Sequence, residues 1–452
     1  MLGKMTRRDF VSTSAKGSTA MAAGASVLGL ACPARGGPAN EKIVLGLIGA
    51  GGRGSSLIQG MTRLENVETK YVCDVNGTRG GGIIGSLEKL QGYAPKRVAE
   101  MREVFDDDDV DAVVIATPEH WHALATVWAC QAGKDVYVEK NVSLTIWEGR
   151  KMIEAAKKYK RVVQCGTQNR SAPYGSSARE YLDSGKLGNV VHVKMYNMLP
   201  GGGFRPQPDG NPPAGLDWDR WLGPAPERPF NPGRMGWYNW WDYSGGGSMA
   251  GDASHVFDLA RMVLGDPAHP KTVHCAGGRL AHDDPCEIPD VQAVTYDFGT
   301  FTVTADVTSF PPYMKKSPGD VRFGDKFPAW PQNATRTEIY GTRGMMYLGR
   351  HGGGWQVLEA NGKVVAQEYG YFPDKWHQPD FIDCVRSRET PNGNVEQGHL
   401  SACLVHLANV AYRTGNQRLE FDADTETFVN NDRANEYLRP AYRKHYRIPD
   451  EV

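Results

Sequence analysis

An apolar stretch, residues 43–48, runs straight into Gly49-Ala-Gly51-Gly-Arg53-Gly54, and the next apolar run ends on Asp74, 25 positions after Gly49. A G-x-G-x-x-G that closes a strand and opens a helix needs glycine three times, for three reasons. The first makes a tight turn, and the second lets backbone approach a pyrophosphate. The third lets the following helix pack close to the strand, its N-terminus toward the phosphates. Residues 55–64 carry the helical pattern this requires. Asp74 stands where a ribose ligand belongs. A carboxylate there accepts from a 2′-hydroxyl and repels a 2′-phosphate, which favours NAD over NADP. Arg79, close by, keeps NADP as the second choice. Arg53, inside the motif, is counted with the cofactor-binding set.

The pattern continues as alternating strand and helix. Residues 42–48, 68–73, 112–116, 135–138 and 162–166 are short apolar runs suited to buried parallel strands, with helical periodicity over 122–131 and 146–159 between them. This predicts a doubly wound α/β domain over 40–165. After Gly166 the runs lengthen and partly alternate, at 190–195, 272–277, 291–298, 301–307 and 335–340. They predict an open, mostly antiparallel sheet in an α+β domain over 166–420, with helices at 381–388 and 398–413 and a polar tail over 421–452. A Gly/Pro/Trp-rich segment at 200–247 holds five of the chain's 11 tryptophans. A loop this long is functional or disordered, and its aromatics argue for function. Trp240 and Trp241 are the candidates for stacking on sugar rings.

The first 35 residues stand apart. Thr6-Arg7-Arg8-Asp9-Phe10-Val11 fits the twin-arginine export pattern, and an uncharged Ala/Gly/Ser/Leu stretch follows to about Ala31. That stretch is too short and too weakly apolar to span a bilayer, which takes ~20 residues. Cys32 could accept a lipid, but Gly29 replaces the large apolar residue expected three positions earlier. The reading is a cleaved signal at 1–35 and a periplasmic protein, with the twin-arginine machinery as a partner. The machinery exports folded chains, which agrees with a cofactor inserted beforehand. The whole chain has net charge −1 and no basic run suited to nucleic acid. The seven cysteines beyond the signal are scattered and contain no C-x-x-C, so they read as buried thiols, with Cys275 and Cys286 the only pair considered.

Three constellations carry chemistry. Thr117-Pro118-Glu-His-Trp-His122 follows the fourth strand and Glu139-Lys140-Asn141 the fifth, both at the sheet edge where such sheets bind ligands. Lys140 can reach a substrate hydroxyl there. The third is Gly245-Gly-Gly, then Gly251-Asp252-Ala-Ser-His255-Val-Phe-Asp258, opening an amphipathic helix. A helix N-terminus disfavours imidazolium, so His255 is expected neutral and able to accept a proton. His120-x-His122 has no third ligand nearby in sequence, so no metal is expected.

In this order the motifs resemble the Gfo/Idh/MocA family, over nearly the whole chain beyond the signal. The resemblance implies NAD or NADP and a sugar or polyol substrate. It implies Lys140 at the reacting hydroxyl, His255 as acid/base, and Gln168 and Arg170 lining the pocket. Two positions depart from the family pattern. Asn141 replaces a proline, and Gly251 stands where an aspartate belongs four residues before the histidine, with Asp252 displaced by one. A one-residue shift turns a helical side chain by about 100°.

The functional reading is an NAD-dependent oxidoreductase on a sugar hydroxyl, its cofactor tightly held and recycled, since the periplasm offers no ready NAD pool. Catalytic candidates are Lys140, His255 and Asp252; cofactor candidates include Thr117, Pro118, His122 and Glu139 with the glycines. The rival is an NAD-dependent glycoside hydrolase working by transient oxidation and elimination, although the Thr-His-Gly-Leu-Gly expected of it is replaced by Asp252-Ala-Ser-His255-Val. A non-catalytic sugar-binding protein is the third class. A homo-oligomer is expected from the resemblance.

Overall fold

The computed structural model describes residues 42–452. The export signal and Cys32 lie outside the described residues. Strands β1 (Ile43–Ile48), β2 (Val67–Cys73), β3 (Lys96–Val98), β4 (Ala112–Ile115), β5 (Asp135–Val138) and β6 (Val163–Cys165) form one sheet of order β3-β2-β1-β4-β5-β6, every pairing parallel. Every residue of β4, β5 and β6 is buried, because helices cover both faces of such a sheet. The helices are α1 (Gly52–Met61), α2 (Gly81–Gln91), α3 (His122–Gln131) and α4 (Ile146–Tyr159). Thr145 caps α4 by accepting the Glu148 N–H while the Glu148 carboxylate accepts the Leu144 N–H, a reciprocal arrangement that fixes the chain's entry.

The second sheet has ten strands. Its centre is β7 (Val190–Met198), β8 (Thr272–Gly278), β9 (Val291–Asp297), β10 (Thr302–Thr308) and β11 (Thr335–Gly341). It is extended by β12 (Met345–Gly349), β13 (Trp355–Leu358) and β14 (Val364–Glu368) on one side and by β15 (Leu419–Asp422) and β16 (Thr427–Phe428) on the other. Only the β7–β10 pair is parallel. One face of this sheet buries α5 (Ser254–Val263): Val256, Phe257 and Leu259 pack against Val193, Val294 and Ala305. Each such side chain, fully removed from water, contributes roughly 2 kcal/mol.

The α1 helix begins at Gly52, three residues before the sequence pattern suggested, because the last two glycines of the loop already belong to its first turn. Helix α2, β3 and the hairpin strands β12 to β14 were not read from the sequence; they are short, or half-buried with mixed polarity.

Two later segments return to the first sheet. Helix α6 (Asp374–Ser387) buries Phe381 and Ile382 beside Leu57 and Ile58 of α1, and the C-terminal stretch inserts Ile448 and Val452 into the core beneath α3 and α4. The stretch read as a polar tail is therefore anchored: the Tyr442 hydroxyl donates to Glu148 at 2.6 Å. Helix α7 (Val395–Arg413) packs on α5 and the second sheet. The seven described cysteines are buried, and no disulfide joins Cys275 to Cys286. Among the described residues no helix is long and apolar enough to cross a membrane.

Candidate active site

The glycine loop lines a cavity of about 280 Å³ together with Asp74, Thr117 and Pro118. Gly49 has φ +93°, and a Cβ on it would lie 2.8 Å from the Ala116 backbone. A Cβ on Gly54 would lie 2.1 Å from the Gly49 carbonyl oxygen. At Gly51 it would meet only Arg79 Nη1, at 3.6 Å. The first and third glycines are thus required by close contact, while the second faces open space at the start of α1. That cradle fits a pyrophosphate. The Asp74 carboxylate accepts the Ala50 and Asn76 N–H groups at 2.9 and 2.8 Å, fixing it on the cavity wall with lone pairs still available to a ribose.

Four residues expected on the cofactor or substrate have other work. Arg53 borders the cavity but donates to Glu139 at 2.9 Å and to Asp374 at 2.7 Å. Burial works against its charge, and the two carboxylates outweigh burial, so it stays charged as the tie between β5 and α6. His122 is buried, its ring nitrogens 2.7 Å from the Asn141 carbonyl oxygen and 2.9 Å from that of Thr117; burial lowers its pKa. It joins two loops instead of facing a ligand. Arg170 is buried against Asp258 at 2.6 Å and Asp266 at 2.8 Å. Gln168 sits behind Glu139, donating to its carboxylate and to the Tyr137 hydroxyl, each at 3.2 Å.

Glu119 unites the three constellations. Its buried carboxylate accepts the Gly245 N–H at 2.7 Å, the Ser244 hydroxyl at 3.2 Å and the Asn141 N–H at 3.4 Å. The last contact explains why asparagine is tolerated after Lys140: Asn141 is held by Glu119, by His122 and by its own amide on the Ser143 carbonyl. A proline could not donate that N–H.

Lys140, Asp252 and His255 share one electrostatic environment. His255 is 5% exposed, and neither ring nitrogen has a hydrogen-bond partner among the described residues. Burial, with Arg350 and Lys140 adding repulsion, holds its pKa well below the ordinary value, so the ring is neutral. Lys140 is driven the other way. Burial opposes its charge, but Tyr238, Glu119 and Asp252 prevail, and it stays an ammonium ion. Asp252 belongs to a π-helical turn, Met249–Ala253, ahead of α5. Its carboxylate pairs with Lys316 at 2.9 Å and Arg350 at 3.3 Å. Burial disfavours that anion, yet Arg350, Lys316 and Lys140 hold its pKa far below the usual range. Asp252 is therefore an electrostatic anchor, bound to two cations from distant loops.

Sequence reasoning missed Tyr238, Lys316, Arg350 and Glu119. The Tyr238 hydroxyl accepts from Lys140 Nζ at 3.2 Å and donates to no acceptor among the described residues. Glu119 and Tyr238 lie inside segments that were singled out, whereas Lys316 and Arg350 carry no local signal. The expected sugar platforms lie elsewhere. Trp240 donates to the Gly233 carbonyl and packs against Arg234 and Phe204. Trp241 donates to the Glu287 carbonyl and lies under Arg413, facing a separate cavity of about 320 Å³. Trp221 and Trp237 are the tryptophans of this segment that reach the dinucleotide cavity. No metal was expected. Outside the site, however, His269, Cys403 and Glu426 bring ligand atoms within 4.8 Å of one another. Arg150 already pairs with Glu426 there.

Curated relatives include the oxidoreductase YrbE of Bacillus subtilis, 22% identical over 272 residues (58% of this chain, 66% of the relative). Another is an alpha-N-acetylgalactosaminidase of Shewanella oneidensis, 32% identical over 139 residues (30% of this chain, 29% of the relative). The chain thus covers less than two thirds of either relative. Among solved structures, the WlbA dehydrogenase of Bordetella pertussis, in complex with NADH and UDP-GlcNAcA, superposes with a TM-score of 0.61 at 18% identity, covering 85% of this chain and 98% of the other. The aldose-aldose oxidoreductase of Caulobacter crescentus, complexed with glycerol, gives 0.62 at 18% identity, with 84% and 100% covered. At such identity the likeness is one of fold. Three family models match in series: the oxidoreductase-family NAD-binding Rossmann fold over residues 43–167, the GFO/IDH/MocA C-terminal domain over 217–347, and the oxidoreductase-family C-terminal alpha/beta domain over 342–448. The chain belongs to the Gfo/Idh/MocA family of oxidoreductases.

Proposed function

We propose that this protein is an NAD-dependent oxidoreductase acting on the hydroxyl of a sugar or sugar derivative. One observation carries the reading: a buried, neutral His255 with both ring nitrogens free shares its surroundings with a protonated Lys140, beyond the edge of the sheet that presents the glycine cradle. Gly49, Gly51 and Gly54 would hold the pyrophosphate and Asp74 the ribose. When bound, NAD supplies a hydride acceptor and donor. His255 accepts the proton of the substrate hydroxyl, and Lys140 donates a hydrogen bond to the same oxygen and stabilises the charge that develops there. Burial, with Arg350 and Lys140 nearby, keeps His255 neutral against the opposing charge of Asp252, which Lys316 and Arg350 hold in place. Solved proteins of the same fold include the WlbA dehydrogenase with NADH and UDP-GlcNAcA and levoglucosan dehydrogenase with NADH and levoglucosan, which supports a carbohydrate substrate.

The twin-arginine pattern supports export of the folded protein with its cofactor aboard, recycled within each catalytic cycle. Association of copies through the outer face of the ten-stranded sheet is supported by its aromatic surface. Tyr196 lies beneath Arg336, Tyr340 stacks on His192, and Tyr347 stacks on Trp330. Light scattering reads the oligomeric state directly.

A second reading, the glycoside hydrolase, is favoured by the match to the Shewanella oneidensis glycosidase. One experiment separates the two. Protein purified without nucleotide is denatured and its dinucleotide counted, then intact protein is offered free sugars and aryl glycosides with no external acceptor. Close to one NAD per chain with sugar-dependent reduction supports the oxidoreductase. Release of the aryl group transfers the site to the hydrolase. An empty protein that turns over neither leaves the sugar-binding class.

A further inference from the structure

Position 251 lies one turn before His255. Residues four apart share a helix face, whether the turn is α or the slightly wider π form, so a side chain at 251 would stand beside the imidazole. Glycine leaves that place vacant in sequence but not in space. A Cβ on Gly251 would fall 2.5 Å from Tyr238 Cε1 and 2.6 Å from its hydroxyl oxygen. The tyrosine ring therefore occupies the position, and its hydroxyl lies on the face of the helix that carries His255.

Two contacts hold the ring: Trp237 packs on it with centroids 4.2 Å apart, and Lys140 Nζ donates to its hydroxyl oxygen at 3.2 Å. The backbone carbonyl of Tyr238 abuts Gly247, where a Cβ would come within 3.0 Å. The phenolic oxygen accepts from Lys140 and donates to no acceptor among the described residues. Tyr238 also forms the wall, with Asp252 and Ser248, of a cavity of about 270 Å³. Desolvation raises its pKa against the pull of the neighbouring ammonium, so the group stays a phenol, on a residue that is 37% exposed overall.

We propose that Tyr238 is the substrate-positioning residue of this site: its phenol, oriented by Lys140 and seated in the place of a side chain at 251, donates its proton in a hydrogen bond to the oxygen that His255 deprotonates. The proposal rests on the oxidoreductase reading above. It assigns each of three groups one task at that oxygen: His255 accepts, Lys140 supplies charge, and Tyr238 fixes direction.

The test combines Tyr238→Phe with a Gly251→Ala series. Tyr238→Phe keeps the ring and removes only the donor. With D-glucose, D-galactose and myo-inositol as probes, reduction of bound NAD followed at 340 nm is expected to slow by about 100-fold in kcat, the usual cost of losing one such donor. Bound dinucleotide per chain and Tm stay unchanged. Gly251→Ala is expected to lower Tm while Tyr238 is present and to raise it in a Tyr238→Ala background, where alanine is simply the better helix former. Turnover of Tyr238→Phe within twofold of the unaltered protein overturns the role. A Gly251→Ala effect of the same sign in both backgrounds overturns the placement. An unaltered protein inert toward every probe overturns the oxidoreductase reading itself, a result distinct from either, and the role falls with it.

Discussion

Around Gly49–Gly54 the backbone makes the site; around His255 side chains make it. The first region spans six consecutive residues, and its geometry follows from what glycine lacks: an added Cβ would strike main-chain atoms at Gly49 and Gly54. The second draws Lys140, Tyr238, Asp252, His255, Lys316 and Arg350 from five separate segments, and its geometry follows from charge balance and packing. A backbone site tolerates almost no side-chain addition, since main chain cannot move aside. A side-chain site is softer, because neighbours and solvent absorb part of each change.

The harshest way to break that contrast is at Gly54. Gly54→Ala places a methyl 2.1 Å from the Gly49 carbonyl. Overpacking of this kind costs about 3 kcal/mol. The purified variant is expected to contain no dinucleotide and to lose all turnover; an occupied Gly54→Ala protein would mean the loop is more pliable than its contacts imply.

His255→Ala comes next. Removing a general base lowers kcat by roughly 10²- to 10⁴-fold. Nucleotide content stays intact, because the loop that holds it is built independently. The lowered pKa of His255 also fixes a sign for pH. The proton-accepting form persists well below the ordinary histidine value of about 6.5, so kcat/KM holds between pH 8 and 6. Protonating this buried ring favours the unfolded chain, so Tm falls on acidification below that value.

Asp252→Asn tests the charge balance. The folded-state pKa of Asp252 is depressed. Its contribution is therefore complete above its unfolded value of about 4 and is lost as pH drops toward the lower folded one. At neutral pH the variant leaves Arg350, 9% exposed, without its carboxylate. A cost near 2 kcal/mol is expected in urea unfolding, less than for a fully buried pair. The stability difference from the unaltered protein should shrink as pH falls below 4. The smallest effect belongs to Trp241→Ala, expected to change the KM for sugar by less than about twofold, since its ring contacts Glu287 and Arg413 away from Lys140. A large change would return the second cavity to the substrate path.

The same contrast separates what was legible in the amino-acid order. Helices 122–131 and 146–159 were read to the residue, since both are continuous apolar patterns with clear ends. The ladder from β12 to β14 was not, because polar and apolar residues mix along short edge strands. Arg170 carried no mark to separate a pocket residue from a buried ion pair. Asp258 and Asp266, which claim it, lie 88 and 96 positions away. Within the aromatic segment, no spacing separated a ring that anchors the loop from one that lies against Lys140. Trp240 and Trp241 anchor the loop, while Tyr238 between them and Trp237 faces Lys140.

By itself, then, the amino-acid order determined the parallel sheet, the glycine cradle and the positions of Asp74, Lys140 and His255, because each depends on local spacing and on the period of a strand or helix. Tertiary structure alone decided which groups surround His255. Lys316 and Arg350 converge on Asp252, and Tyr238 fills the space over Gly251, through folding of the second sheet and its loops. Charge and steric complementarity act between atoms brought together from distant points of the chain, and no local pattern records them.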